Sequence, residues 1–321
     1  TRTKTIMRTI LITGGAGFIG SCLAEKMISD PENFVVIVDD LTTGDVSKLP
    51  SAQHKNWRFI KCNVNDYRDI SAVMLSFPFD YVFHYAAVVG VQRTQLFPVK
   101  VLNDIKGISN ILNLSKNSHV KRVYFSSSSE VYGEPVELPQ NELTTPLNSR
   151  VPYAVVKNIG EAYLKSYHKE YGLDYTIFRF FNTYGPKQSR DFVMSRFMAL
   201  ALKNQNITIY GDGSQSRTFC YINDNVDACY ASFVNSAVKN VTVNDIINIG
   251  NDNEISILDL ANKIISLTNS QSKIVYKPPL EEGDMHRRLP DTTKMRKLLG
   301  RPMLSIDEGI KKLIENPLFL K

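Results

Sequence analysis

A chain of 321 residues, 43% hydrophobic and 22% charged, is long enough for one large α/β domain or two smaller ones and has the balance of an ordinary globular protein. No apolar run approaches the roughly 18 residues that span a bilayer, so no membrane partner is expected and a cytoplasmic location is. The net charge of +6 comes from Lys and Arg scattered along the chain rather than massed in one block, which argues against a nucleic-acid partner and leaves a few arginines for an anionic small ligand.

Cys22, Cys62, Cys220 and Cys229 are widely spaced and form no metal-ligand pattern, so they are read as buried thiols of a reducing compartment, with no metal site. The opening TRTKTIM lacks the roughly 7–15-residue apolar core of a signal peptide. It is expected to be a short tail, with Met7 a candidate natural start.

Arg8 to Thr13 (RTILIT) reads as a short apolar strand running into Gly14-Gly15-Ala16-Gly17-Phe18-Ile19-Gly20, followed by an amphipathic helix, SCLAEKMISD. Glycines at G-x-x-G-x-x-G let the backbone turn tightly and approach a pyrophosphate, whose charge the helix N-terminus then meets. The next strand, FVVIVDD, reaches Asp39 nineteen residues beyond Gly20. A carboxylate there accepts hydrogen bonds from adenosine ribose hydroxyls and repels a 2′-phosphate, which favours NAD over NADP. Asp40 is the alternative for that role.

Strand-like runs follow at WRFIKC, DYVFHYAA, KRVYFSSSS and YTIFRFFN, alternating with helix-like stretches such as VLNDIKGISNILNLSK. This alternation predicts an α/β fold built on a doubly wound parallel sheet, with ligand across the carboxyl ends of its strands. Beyond about residue 180 the pattern loosens, with Gly185-Pro186 and Gly211-Asp212-Gly213 marking loops, and a smaller mixed α/β region is expected there, with a terminal helix around SIDEGIKKLIE.

The stretch from 126 to 157 carries the chemistry. Tyr153 and Lys157 stand four apart on a predicted helix and so share a face. A lysine ammonium beside a phenol favours the phenolate and makes the tyrosine a candidate general base. Alone, that spacing is an ordinary helix face; its surroundings decide.

Taken together, TGGAGFIG, the strand-end DD-L, HYAA, SSSSEVYG, YAVVK, RFFNTYGP, GDGSQSRTF and GDMHRRLPDTTK resemble the extended short-chain dehydrogenases that modify nucleotide sugars. These include UDP-galactose 4-epimerases, dTDP-glucose 4,6-dehydratases and UDP-glucuronate decarboxylases (UDP-xylose synthases), and the resemblance runs from about Arg8 to about Leu313. It implies a Rossmann domain over 7–180 that holds NAD+, and a nucleotide-sugar-binding region over 181–321, some segments of which return to the first domain.

By the same resemblance the cofactor lies against Gly14, Gly17, Phe18, Ile19, Gly20, Asp39, Asn63, Val64, Ala86, Tyr153 and Lys157. Ser128 would hydrogen-bond the sugar 4′-hydroxyl, Tyr153 would take its proton, and Lys157 would hold the nicotinamide ribose and bias the tyrosine. Asn182, Arg217, Arg287 and Arg288 would bind the substrate, a UDP-sugar or other nucleotide-diphosphate sugar, through its diphosphate. A homodimer pairing the helix of Ile105 to Ser115 with that of Tyr153 to His168 is also implied. Two positions depart from the family pattern: Asn63 replaces an Asp near the adenine, and Asp104 stands where an Asn precedes x-x-Gly107.

The fate of the 4-keto intermediate decides the reaction. A 4,6-dehydratase resembles this chain except that its Asp-Glu acid pair is replaced here by Ser129-Glu130. Ser then Glu, with Arg217 and the DMHRRLPD stretch of Asp284 to Asp291, is closer to the decarboxylases; the loop SRDFVMSRF is closer to uronate epimerases. UDP-glucuronate decarboxylation to UDP-xylose is the favoured reading, with 4-epimerase and then 4,6-dehydratase as alternatives. An NAD(H)-binding regulatory protein on the same scaffold is the reading from another class.

Overall fold

The structure, a computed structural model, describes residues 7–239, 241, 244–279 and 287–320. The opening residues 1–6 and the Asp284–His286 part of the DMHRRLPD stretch lie outside them. In chain order the strands are β1 (Arg8–Thr13), β2 (Asn33–Asp39), β3 (Trp57–Lys61), β4 (Tyr81–His84), β5 (Arg122–Ser128), β6 (Asp174–Phe180), β7 (Thr183–Tyr184), β8 (Ile207–Tyr210), β9 (Ser216–Thr218), β10 (Cys220–Tyr221), β11 (Asp245–Ile249), β12 (Glu254–Ser256) and β13 (Ile274–Lys277). The helices are α1 (Phe18–Ile28), α2 (Tyr67–Ser76), α3 (Val91–Leu96), α4 (Pro98–Leu102), α5 (Asp104–Lys116), α6 (Pro152–Tyr171), α7 (Val193–Leu202), α8 (Ile222–Ala237), α9 (Ile257–Leu267), α10 (Thr293–Leu299), α11 (Ile306–Glu315) and α12 (Pro317–Leu320).

The chain divides into two units that are each discontinuous in sequence. The first comprises 1–131, 152–179 and 229–247; the second comprises 132–151, 180–228 and 248–321. In the first unit a seven-stranded parallel sheet runs in the order β11-β6-β5-β4-β1-β2-β3. Leaving β1 to either side reverses the winding, which is the topological switch that marks ligand sites in such sheets.

The near-continuous apolar strands, such as Ile10, Leu11 and Ile12 of β1 and Val35 to Val38 of β2, are fully buried, as a sheet covered on both faces requires. On one face Leu11, Val36, Val82, Val123 and Ile177 pack with Ile108, Ile111 and Leu112 of α5 and Val156 and Leu164 of α6. The later chain returns to this unit because Phe233 of α8 sits edge-on to Tyr81 (5.2 Å between ring centroids), near Phe83 and Tyr124.

The second unit has three two-stranded ribbons, β10-β7, β12-β9 and β13-β8. Its segment 132–151 is tied down by Asn248, which donates to the Gln140 carbonyl (2.8 Å), gives its N–H to Glu142 (2.9 Å) and accepts from the Tyr132 hydroxyl (2.7 Å).

Two elements differ from the sequence expectation. The first helix begins at Phe18, inside the glycine motif, because Gly17 in extended conformation is its N-cap. The stretch 101–116 is two helices rather than one, meeting at Asn103, with Pro98 starting the first. Of the cysteines, Cys62, Cys220 and Cys229 are buried thiols, while Cys22 is only partly so. Among the described residues no helix is long and apolar enough to cross a membrane, and no group of three or more His, Cys, Asp or Glu side chains could hold a metal ion.

Candidate active site

The carboxyl ends of β1, β2, β4 and β5 and the first turns of α1 and α6 supply the site in the first unit. Gly14 has φ +67°, and a Cβ there would meet the Ala86 amide nitrogen at 2.7 Å. At Gly20 a Cβ would press on the Gly14 carbonyl at 2.5 Å, so this glycine lets the helix start directly against the turn. The backbone is thereby bare where a pyrophosphate must approach, in front of the free N–H groups of an eleven-residue helix.

Asp39, 9% exposed, accepts from the Ala16 N–H (3.0 Å) and the Leu41 N–H (2.8 Å). Its carboxylate is therefore fixed beside the glycine loop, while burial raises its pKa against the opposing pull of those two bonds. Asp40 instead turns outward and accepts from the Thr42 N–H (2.8 Å). Phe18 and Ile19 are half-buried in the first turn of α1. Asn63 is exposed and caps its own loop by accepting from the Asn65 N–H (2.9 Å); Val64 is buried. The bare cradle, the oriented helix amides and a carboxylate at the end of β2 together fit a dinucleotide.

Thr13 and His84 organise the switch point, and neither stands among the sequence-derived site residues. The Thr13 hydroxyl accepts from the Tyr85 and Ala86 N–H groups (3.1 Å each), so it donates to Nδ1 of His84 at 2.8 Å. His84 is thus held neutral with its proton on Nε2, and burial first, then the nearby Lys157, lower its pKa to about 3.

Lys157 is 3% exposed and donates to the Ser126 carbonyl at 2.6 Å and to the Ser126 hydroxyl at 3.4 Å. Its ammonium lies 5.0 Å from the Phe125 ring centre and 5.7 Å from that of Tyr153, which is half-buried one turn earlier. Burial lowers the lysine pKa to about 8, opposed by Asp104. At that departure from the family pattern Asp104 accepts from the Val88 N–H (2.7 Å) and from the Asn65 amide (3.1 Å). Ser128 and Ser129 are buried at the end of β5, and the Ser128 hydroxyl accepts from the Glu130 N–H at 3.2 Å.

The substrate residues expected from sequence stand in the second unit. Asn182 is half-buried and its carbonyl accepts from the Cys220 N–H (2.8 Å), joining the loop after β6 to β10. Arg217 of β9 is 9% exposed, pairs in register with Ile255 and donates to the Ser216 carbonyl. Arg287 is exposed and grips Glu254, the neighbour of Ile255, through two bonds of 2.9 and 2.5 Å. That pairing lowers the Glu254 pKa. Arg288, the next residue, is buried at 9% exposure. Arg287 thus fastens its segment to the β9-β12 ribbon that carries Arg217.

A model of the NAD dependent epimerase/dehydratase family matches residues 10–250. A putative UDP-glucose 4-epimerase of Methanocaldococcus jannaschii is 34% identical over 311 residues, 95% of this chain and 97% of its own. UDP-glucuronic acid decarboxylase 3 of Arabidopsis thaliana is 33% identical over 320 residues, 96% of this chain and 88% of its own. The solved UDP-glucose 4-epimerase of Thermotoga maritima, with UDP-glucose, matches with a TM-score of 0.87 at 32% identity, covering 95% of this chain and 96% of that one.

Proposed function

The chain belongs to the NAD dependent epimerase/dehydratase family, and from that premise we propose that it oxidises a nucleotide-diphosphate sugar transiently at C4′, with UDP-glucuronate decarboxylated to UDP-xylose. The observation that carries the oxidation is Lys157, a buried ammonium on the Ser126 carbonyl one turn after Tyr153. NAD+, held by the glycine loop and Asp39, supplies a reversible two-electron acceptor when bound.

Tyr153, its phenolate favoured by the Lys157 ammonium, takes the proton of the 4′-hydroxyl, and Ser128 holds the oxygen from which that proton leaves. The resulting 4-keto group is β to the C6 carboxylate. The C5′–C6′ bond then breaks with its electron pair passing into an enolate, CO2 departs and C5′ takes a proton; the two electrons removed from C4′ then return to it while Tyr153 gives its proton back to O4′, which completes UDP-xylose. Ser129 and Glu130, which come directly after Ser128, position the carboxylate and the incoming proton. In the second unit Asn182, Arg217 and Arg288 take the diphosphate; Arg287, already held by Glu254, anchors them. A homodimer through α5 and α6 belongs to the same reading, with Tyr171 standing 53% exposed on α6.

A second reading, 4-epimerisation, is favoured by the 34% identity to a putative UDP-glucose 4-epimerase. Incubation of the purified protein with NAD+ and, in turn, UDP-glucuronate, UDP-glucose and their N-acetyl relatives, read by mass and NMR, separates the readings; the results that follow are for UDP-glucuronate unless another sugar is named. Loss of one CO2 is the expected result. Unchanged mass with altered ring couplings would establish epimerisation instead, loss of one water from a sugar that carries a 6-hydroxyl would establish dehydration, and NAD+ binding with none of these sugars changed would establish a regulatory protein.

A further inference from the structure

Glu161 and Arg179, each 1% exposed, form an ion pair that the proposed chemistry does not use. The fork of Arg179 donates from Nε to Oε1 at 2.9 Å and from Nη2 to Oε2 at 2.7 Å, and Oε1 also accepts from the Ser127 hydroxyl at 2.6 Å. Taking two charges out of water costs several kcal/mol per ion, and apolar residues of similar volume often serve stability as well or better. Stability alone therefore does not explain the pair, and its location supplies another reason.

The three side chains come from α6, β5 and β6. Glu161 stands four residues after Lys157 and eight after Tyr153, on the same helical face. Ser127 lies between Ser126, whose carbonyl receives Lys157, and Ser128. Next to Glu161, a Cβ on Gly160 would meet Phe125 Cε1 at 2.7 Å, so helix and strand approach closely at this level. A carboxylate that bridges a fork on one strand and a hydroxyl on its neighbour leaves the helix little freedom to slide, since each residue of slip displaces it by about 1.5 Å.

We propose that Glu161, Arg179 and Ser127 form a positioning clamp that sets the height of α6 on β5, and so keeps Lys157 on the Ser126 carbonyl and Tyr153 at its working level. The consequence for turnover rests on the C4′-oxidation reading; the consequence for Lys157 does not.

Two variants test it. Ser127→Ala removes one bond and leaves the ion pair whole, and Glu161→Met with Arg179→Met removes both charges together, stranding neither. Brief acylation of the protein by acetic anhydride, resolved by residue in a mass spectrometer, reads how firmly Lys157 is held. The clamp predicts that both variants label Lys157 about fivefold faster than the wild type, with exposed Lys61 unchanged. In steady-state kinetics it predicts that Ser127→Ala lowers kcat about tenfold or more with KM for the nucleotide sugar nearly constant. A lower melting temperature with Lys157 labelling unchanged would overturn the clamp. Faster labelling with kcat unchanged would overturn its part in turnover. A wild type without turnover would overturn the proposed function alone, and the labelling would still decide the clamp.

Discussion

Replacing Gly160 with alanine sets two effects of known size against each other. Glycine in the interior of a helix costs about 1 kcal/mol relative to alanine, and Gly160 sits in the middle of the twenty-residue α6, so propensity alone favours the substitution. The added methyl, however, would lie 2.7 Å from Phe125 Cε1 and 3.2 Å from Ile108 Cδ1. Phe125 cannot swing aside freely: it is 1% exposed, stacked on His84 with ring centres 6.1 Å apart, and has the Lys157 ammonium 5.0 Å from its centre. Overpacking at such a site costs about 1–3 kcal/mol, which leaves a net loss centred near 1 kcal/mol. Urea denaturation followed by circular dichroism should show a lower midpoint with an unchanged slope. A variant as stable as the wild type, or more so, would refute the reasoning and show that α6 and Phe125 yield at little cost.

Tyr153→Phe should leave NAD+ affinity, measured by calorimetry, close to the wild type while turnover falls about 10²–10⁴-fold; retained turnover would remove Tyr153 as the base. His84 gives an acid-limb prediction. Its pKa falls from 6.5 to about 3 in the folded protein, so between those values the unfolded chain binds the extra proton and stability declines as pH drops. Urea midpoints for His84→Gln should fall less steeply with acidification than those of the wild type over pH 6.5 to 4, and parallel curves would contradict the assignment. Asp104→Asn keeps an oxygen for the Val88 N–H but removes the carboxylate that supports the charge on Lys157. Lys157 should then lose its proton below its present value of about 8, moving the alkaline limb of kcat/KM to lower pH; an unmoved limb would show that Asp104 acts through its hydrogen bonds alone.

What could be read from sequence was what is local. RTILIT is β1 to the residue, and the glycine motif announces its own turn because tight backbone approach demands glycine within seven consecutive positions. Tyr153 and Lys157 were legible for the same reason, being one helical turn apart. The hydrogen bond between Thr13 and His84 spans 71 residues and exists only because β1 and β4 are neighbours in the sheet, a pairing that no pattern in either strand encodes. The partner of Glu161 was hidden similarly, since Arg179 reads as one more residue of the strand YTIFRFFN until that strand is laid beside β5. Arg287 is assigned to the diphosphate by resemblance, and only the fold brings Glu254 to it.

The place of β1 inside the sheet bears on how the chain is made. Its register pairs it with β2 on one side and β4 on the other, and the Thr13 hydroxyl waits for the Tyr85 N–H, 72 residues later. At about 5–20 residues per second, a ribosome needs roughly 4–15 s to cover that distance. Throughout that interval Ile10, Leu11 and Ile12 present an unpaired apolar edge, and the glycine turn lacks the Ala86 backbone that later packs against it. Cofactor could not rescue a nascent chain at this stage, because the cradle it would occupy has not yet formed; protection of that edge has to come from a chaperone or from speed.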